Sequence, residues 1–231
     1  MPIYQLNDNI VFPNPELAEP DGLLAIGGDL SPLRIIEAYS NGIFPWFNEE
    51  TPILWWSPDP RMVLFPDKFR RHNSLKKTIK SGVFTISFDK QFEDVIRKCG
   101  SVPRYDQEGE TWITESIISA YLELHKLGIA HSVEVHQNNI LVGGLYGLSL
   151  GKCFFGESMF HTVTDASKVA LWYLVDKLTS WKFDMIDVQQ ETNHLKSMGA
   201  TGINRKEFLH LLSISLEKES IIGNWNKLGL R

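Results

Sequence analysis

The chain has 231 residues, 43% of them apolar, and a formal net charge of −5. That length suffices for one large domain or two joined units with a real core, and no apolar run approaches the ~20 residues needed to span a bilayer. Cys99 and Cys153 stand apart from any Cys/His cluster, which argues against a disulfide framework or a structural zinc and for a reducing cytoplasm, and the start MPIYQLNDNIVFPNPE lacks the basic and long apolar stretches of a secretion signal.

The first sixty residues are rich in proline, glycine and aromatics (FPNPE, GIFPWF, LWWSPDPR). One helix is well marked there: Ser31 as N-cap, Pro32 in the first helical position and Gly42 at the end. Frequent turns around it suggest a small unit of loops and short strands, spanning 1–61, with a boundary in SPDPR and a larger unit over 62–231.

Residues 68–80, KFRRHNSLKKTIK, carry Lys68, Arg70, Arg71, Lys76, Lys77 and Lys80 and no acid. An acidic body thus bears one basic segment. It is either a solvated helix face or a phosphate-binding patch. Leu75 and Ile79 share one helical face, with Lys76 and Lys80 together on a neighbouring one.

Further on, VFTISF (83–88) is expected as a strand and 89–99 as a helix, followed by a polar loop over 101–112. Thr114 should cap a helix that Gly128 stops. HSVEVH, ILVGGLYGLS and CFFGESMF, joined by turns at QNN and LGK, predict an antiparallel meander. Residues 164–178 predict a helix, 183–190 a strand, and Asn204 with Glu207 a capping box for a last helix over 205–219. The fold class is therefore α+β.

Three groups of residues carry candidate chemistry. Asp187 and Gln189, two apart on a strand, share a face if the alternation is regular. Asp187 could then accept an N–H of the Gln189 side-chain amide and fix where its carbonyl points; otherwise it marks a strand end near solvent. Glu157 is an acid in a run that otherwise suits a buried strand. A buried, unpaired carboxylate costs several kcal/mol, roughly, so it needs a partner or a cavity. If the meander packs beside 183–190, Glu157 and Asp187 open into one cavity lined by phenylalanines and Met159; the aromatics alone are equally explained as core. Trp46, Trp55, Trp56 and Trp112 offer rings that stack on nucleobases or pack an interface. By contrast, GESMF lacks the second glycine of a nucleophile elbow, GGDL lacks a phosphate-loop lysine, and His131 and His136 face opposite ways on a strand.

Taken together, GLLAIGGDLSP, GIFPWF, WWSPDPR, TWIT, LVGGLYG, FFGESMF and IDVQQETNHLKSMGA closely resemble the bacterial leucyl/phenylalanyl-tRNA–protein transferases, from about residue 12 to about residue 210. The resemblance implies transfer of leucine or phenylalanine, methionine less well, from charged tRNA to the N-terminal Arg or Lys of a protein, which is thereby marked for degradation. It implies a larger domain of N-acetyltransferase (GNAT) type, a smaller domain set against it, no metal or diffusible cofactor, and tRNA in place of coenzyme A. Residue by residue, it gives Asp187 and Gln189 as the catalytic pair and Glu157 as the active-site acid. Trp46 and Trp112 fall on residues around the terminal adenosine. Leu145, Phe154, Met159, Leu171, Leu174, Leu178 and Ile186 fall on the pocket for the transferred side chain, and the 68–80 segment on a patch for the acceptor stem. A monomer in the cytoplasm, without membrane contact, is expected. Two rivals are a coenzyme A-dependent acetyltransferase, which needs a Gln/Arg-x-x-Gly-x-Gly/Ala loop absent here, and an RNA-binding module, which leaves Glu157 and the 187–189 pair unexplained.

Overall fold

The structure, a computed structural model, describes residues 3–101 and 111–228. In chain order it forms β1 (Tyr4–Leu6), β2 (Leu23–Gly27), α1 (Pro32–Ser40), β3 (Phe44–Pro45), β4 (Leu54–Trp56), β5 (Arg61–Leu64), α2 (Asn73–Lys80), β6 (Thr85–Phe88), α3 (Phe92–Ser101) and α4 (Glu115–Lys126). There follow β7 (Ala130–Gln137), β8 (Ile140–Leu150), β9 (Cys153–His161), α5 (Ala166–Ser180), β10 (Met185–Gln189), α6 (Asn193–Ser197), β11 (Thr201–Ile203) and α7 (Arg205–Leu216). The α+β class is as expected, and no helix among the described residues is long and apolar enough to cross a membrane. Residues 102–110 of the expected polar loop lie outside the described residues.

Two sheets organise the chain. A four-stranded sheet in the order β1-β2-β4-β3 holds the early strands, and a seven-stranded sheet in the order β11-β5-β10-β9-β8-β7-β6 holds the rest. The β7-β8-β9 meander is antiparallel. The chain then crosses through α5 and returns as β10, which runs parallel to β9 and antiparallel to β5. That crossover is what brings position 187 beside position 155 on one side and position 63 on the other.

Each face of the large sheet is buried. One packs against α3, α4 and α7, with Tyr39 of α1 and Tyr121 of α4 in the same apolar cluster; the other packs against α5 and the C-terminal Trp225. α5 lies close on the sheet because Gly143 of β8 faces it: a Cβ there would sit 2.5 Å from the Cβ of Ala166. Glycine is thus the residue that lets the helix, and the pocket wall it carries, approach.

The helix signals are met with local shifts. Thr114 accepts from the backbone N–H of Ile117 and Asn204 from that of Glu207, as N-caps should. Ser31 occupies its cap position, but its side chain does not cap; Asp29 accepts the Ser31 backbone N–H at 2.7 Å instead. The helix expected from residue 89 begins at Phe92, because Asp89 is left-handed (φ 54°) and its carboxylate takes the N–H groups of Ser132 and Trp225. The helix expected from 164 begins at Ala166, after Asp165 turns left-handed at φ 69°.

Candidate active site

A cavity of about 730 Å³ opens between the small sheet and the large one. Its apolar floor comes from Leu145 on β8, Phe154 and Met159 on β9, Leu171 and Leu174 on α5, and Ile186 on β10. These are six of the seven positions expected for a side-chain pocket. The seventh, Leu178, does not reach the cavity: one turn beyond Leu174 on α5, it is buried in the core that holds Phe183 and Trp225. Trp46 and Trp112 line the mouth with Phe44 and Pro45. Trp46 is held in place by Trp56, whose indole N–H donates to its carbonyl at 2.7 Å and whose ring meets it edge-on at 5.6 Å. Trp55 belongs elsewhere: its ring is buried in the core of the small sheet and its N–H donates to the Gly27 carbonyl.

Glu157 and Gln189 share this cavity. The Gln189 side-chain nitrogen donates to Glu157 Oε1 at 3.3 Å, the Tyr39 hydroxyl donates to the same oxygen at 2.7 Å, and the Tyr121 hydroxyl donates to Oε2 at 3.0 Å. The two tyrosine oxygens lie 2.7 Å apart. This explains how an acid is tolerated among phenylalanines: three donors replace water on its two oxygens. Burial still prevails, raising the Glu157 carboxyl to about 7, against the lowering effect of the two tyrosines. The same contact, added to burial, holds both tyrosine hydroxyls well above their ordinary value, so they stay protonated donors.

Asp187 departs from expectation. It is fully buried, does not line the cavity and does not touch the Gln189 side-chain amide. Its two oxygens accept from Arg61, Nε to Oδ1 at 2.9 Å and Nη2 to Oδ2 at 2.7 Å, and Oδ1 also accepts the backbone N–H of Gln189 at 3.0 Å. The reason is a bulge. Asp187 pairs with Val63 but Gln189 with Met62, leaving Val188 extra, and Gln189 is left-handed at φ 55°. The bulge breaks strict alternation, so Asp187 stays against Arg61 while the Gln189 side chain swings into the cavity.

The basic segment lies apart from this. On α2, Leu75 is buried and Lys76, Lys77 and Lys80 point outward. Arg71 pairs with Asp176 and lies over the rings of Phe69 and Trp172, and Lys68 pairs with Asp67 at 3.2 Å. Among the described residues, Arg70, Lys76, Lys77 and Lys80 have no carboxylate within ion-pair distance, so they carry the segment's free charge.

The two sequence models for leucyl/phenylalanyl-tRNA protein transferases match this chain, the N-terminal one over residues 28–59 and the main one over residues 63–213. The chain belongs to the leucyl/phenylalanyl-tRNA–protein transferase family. Curated members similar to it include those of Solidesulfovibrio magneticus (53% identical, over 97% of this chain and 91% of that protein) and Desulforapulum autotrophicum (52%, over 97% and 98%). That of Legionella pneumophila is 51% identical, over 95% of this chain and 98% of that protein. Solved structures resembling this transferase-family chain include an aminoglycoside acetyltransferase from a soil metagenome (13% identity, 62% of this chain and 95% of that one, TM-score 0.38). Another is the C-terminal domain of a lysylphosphatidylglycerol synthetase from Agrobacterium fabrum (8% identity, 82% and 63%, TM-score 0.40). At these scores the likeness is too loose to bear on function.

Several residues in or behind this cavity are not legible in the sequence as site residues. Tyr39 and Tyr121 bond Glu157, and Arg61 bonds Asp187, through contacts made across the fold. The run Gln190–Leu195, with Val188, walls one side of the cavity; it lies within the family-like stretch IDVQQETNHLKSMGA, but no residue type in it points by itself to a site. Arg61 did leave a signal, a lone charge opening the apolar strand RMVL.

Proposed function

We propose that this chain moves leucine or phenylalanine, and methionine less well, from charged tRNA to the N-terminal Arg or Lys of acceptor proteins, marking them for degradation. The single observation that carries the reading is the juxtaposition of an apolar floor with a polar rim: Leu145, Phe154, Met159, Leu171, Leu174 and Ile186 below, the Gln189–Glu157 contact at 3.3 Å above. An apolar amino-acid side chain suits the floor. Trp46 and Trp112 at the mouth suit the terminal adenosine of the tRNA. We place the smaller unit at 1–61 and the catalytic one at 62–231, acting as a monomer in the cytoplasm.

The reaction is aminolysis of an ester. The acceptor's α-amine attacks the ester carbonyl, a C–N bond forms, the C–O bond to the ribose breaks, and the proton the amine loses ends on the departing ribose oxygen. The ester is already activated, so positioning supplies most of the acceleration. An α-amine titrates near ~7.7–8.0, so a useful fraction is uncharged at neutral pH and no strong base is required. Gln189 gives its amide N–H to Glu157, which leaves its carbonyl oxygen free to accept an N–H of the amine and aim the lone pair. Glu157, charged above about 7, offers the negative group that receives the cationic Arg or Lys end of the acceptor. The outward lysines of α2 hold the acceptor stem through its phosphates.

A panel of charged tRNAs, offered with peptides that differ only in their first residue, tests this. Product is expected from Leu-, Phe- and Met-tRNA with Arg- or Lys-starting peptides and not with Ala- or Asp-starting ones. Product that ignores the first residue, or none under saturating substrates, would overturn the reading.

A further inference from the structure

We infer that Arg61 is a positioning residue for the transfer reaction, and that Asp187 works with it by fixing the backbone at Gln189. This deepens the reading given above and rests on its assignment of Gln189 to the incoming amine.

Arg61 is fully buried, and its guanidinium meets β10, the end of α1, β3 and α7 at once. Nε and Nη2 form a two-point contact with Asp187 of β10. Nη1 donates to the Gly42 carbonyl at 3.0 Å, at the left-handed end of α1. Its central carbon lies over two rings, 4.8 Å from the centroid of Phe44 and 4.6 Å from that of Phe208. A planar fork suits this arrangement because each N–H direction is fixed once the plane is fixed. A lysine has no such plane.

Two of these contacts lead toward the reaction site without entering it. Through Asp187, the first reaches the backbone N–H of Gln189 and so holds the bulge and the left-handed φ that turn the amide into the cavity. Gly42 lies three residues beyond Tyr39, whose hydroxyl holds Glu157 Oε1. Phe44 and Trp46, next along the same segment, line the mouth. One guanidinium therefore fixes both partners of the Gln189–Glu157 contact, one from the large sheet and one from the end of α1. A left-handed non-glycine residue is unfavourable by itself and persists where its surroundings over-determine it. The Arg61–Asp187 pair supplies that constraint, with no contact to the substrate cavity itself.

The test uses the full chain and compares three variants in steady-state leucine transfer to an Arg-starting peptide. Removing one partner alone leaves a buried unpaired charge, so the pair is replaced together as Arg61→Met with Asp187→Leu, an exchange that buried pairs often tolerate. With a melting temperature close to that of the parent, this variant is expected to lose about 100-fold in kcat, the scale of a small misplacement of reacting groups. KM for leucyl-tRNA should stay within about threefold, a split that a general loss of structure would not give. Arg61→Lys keeps a cation beside Asp187 and guards against misfolding of the pair variant; it is expected to lose at least about tenfold in kcat. Either variant, folded and with parental kcat, overturns the inference. Gln189→Ala separates the two levels. Parental kcat in Gln189→Ala would remove the assignment of Gln189, whereas loss there with parental kcat in the pair variant would remove only the roles of Arg61 and Asp187.

Discussion

Glu157 is held by opposing forces that can be separated by pH. Burial raises its carboxyl to about 7, while the hydroxyls of Tyr39 and Tyr121 pull it down by bonding the charged form. Its folded value therefore lies above the ordinary carboxylate value of 4.5. By linkage, the stability this group contributes is fully present below 4.5 and is lost as pH rises through about 7. Glu157→Gln is accordingly expected to raise the melting temperature, relative to the parent, more at pH 8.5 than at pH 4; an equal change at both, seen by calorimetry, would contradict the assignment. Tyr39→Phe removes one bond to the charged form, so the pH at which KM for an Arg-starting peptide improves should move upward from about 7. At this scale the sequence gives away the anomaly of Glu157, an acid among phenylalanines, but not its remedy. Tyr39 lies 118 residues away in sequence and Tyr121 lies 36 away. The error at Asp187 has a different cause: alternation assumes no extra residue, and the bulge at Val188 adds one.

At the scale of elements, α2 shows how a pattern becomes a surface. Leu75 is buried and Ile79 half-buried against α5, which leaves Lys76, Lys77 and Lys80 turned to solvent beside Arg70. Reversing the three lysines to glutamate should weaken tRNA binding at low salt and reduce the slope of log affinity against log salt by about three. An unchanged slope would make this an ordinary solvated helix face. Because the three lie on the exposed side, melting should change little. Elements with strong local signals are legible: α4 has its threonine cap and α7 its asparagine cap, and the meander has its turns. Short strands buried on both faces are not. β5 is four residues with every one buried, so it shows no alternation, and β3 is only two residues long. Yet β5 delivers Arg61 to the centre of the structure.

For the molecule as a whole, the cavity draws on β8, β9, β10 and α5 of the large sheet's layer and on β3 of the small sheet with Trp46 after it. No local window of sequence contains that site. Of its apolar positions, Phe154 and Met159 are legible in the run around Glu157, the others only through likeness to the family, and Leu178 shows the limit of such transfer, since it is buried in the core without lining the pocket. The small sheet's neighbourhood is equally part of the site, since Tyr39, Phe44 and Trp46 come from one short stretch that reaches Glu157, Arg61 and the mouth in turn.

The most direct measurement is single-turnover peptide-bond formation by Gln189→Ala, with leucyl-tRNA already bound and an Arg-starting peptide in excess. If the carboxamide aims the attacking amine, the rate falls by about 100-fold while affinity for leucyl-tRNA is unchanged. A rate equal to that of the parent protein would contradict the central claim, because the amine would then be aligned without the one rim group that Asp187, Arg61 and Glu157 together hold in place.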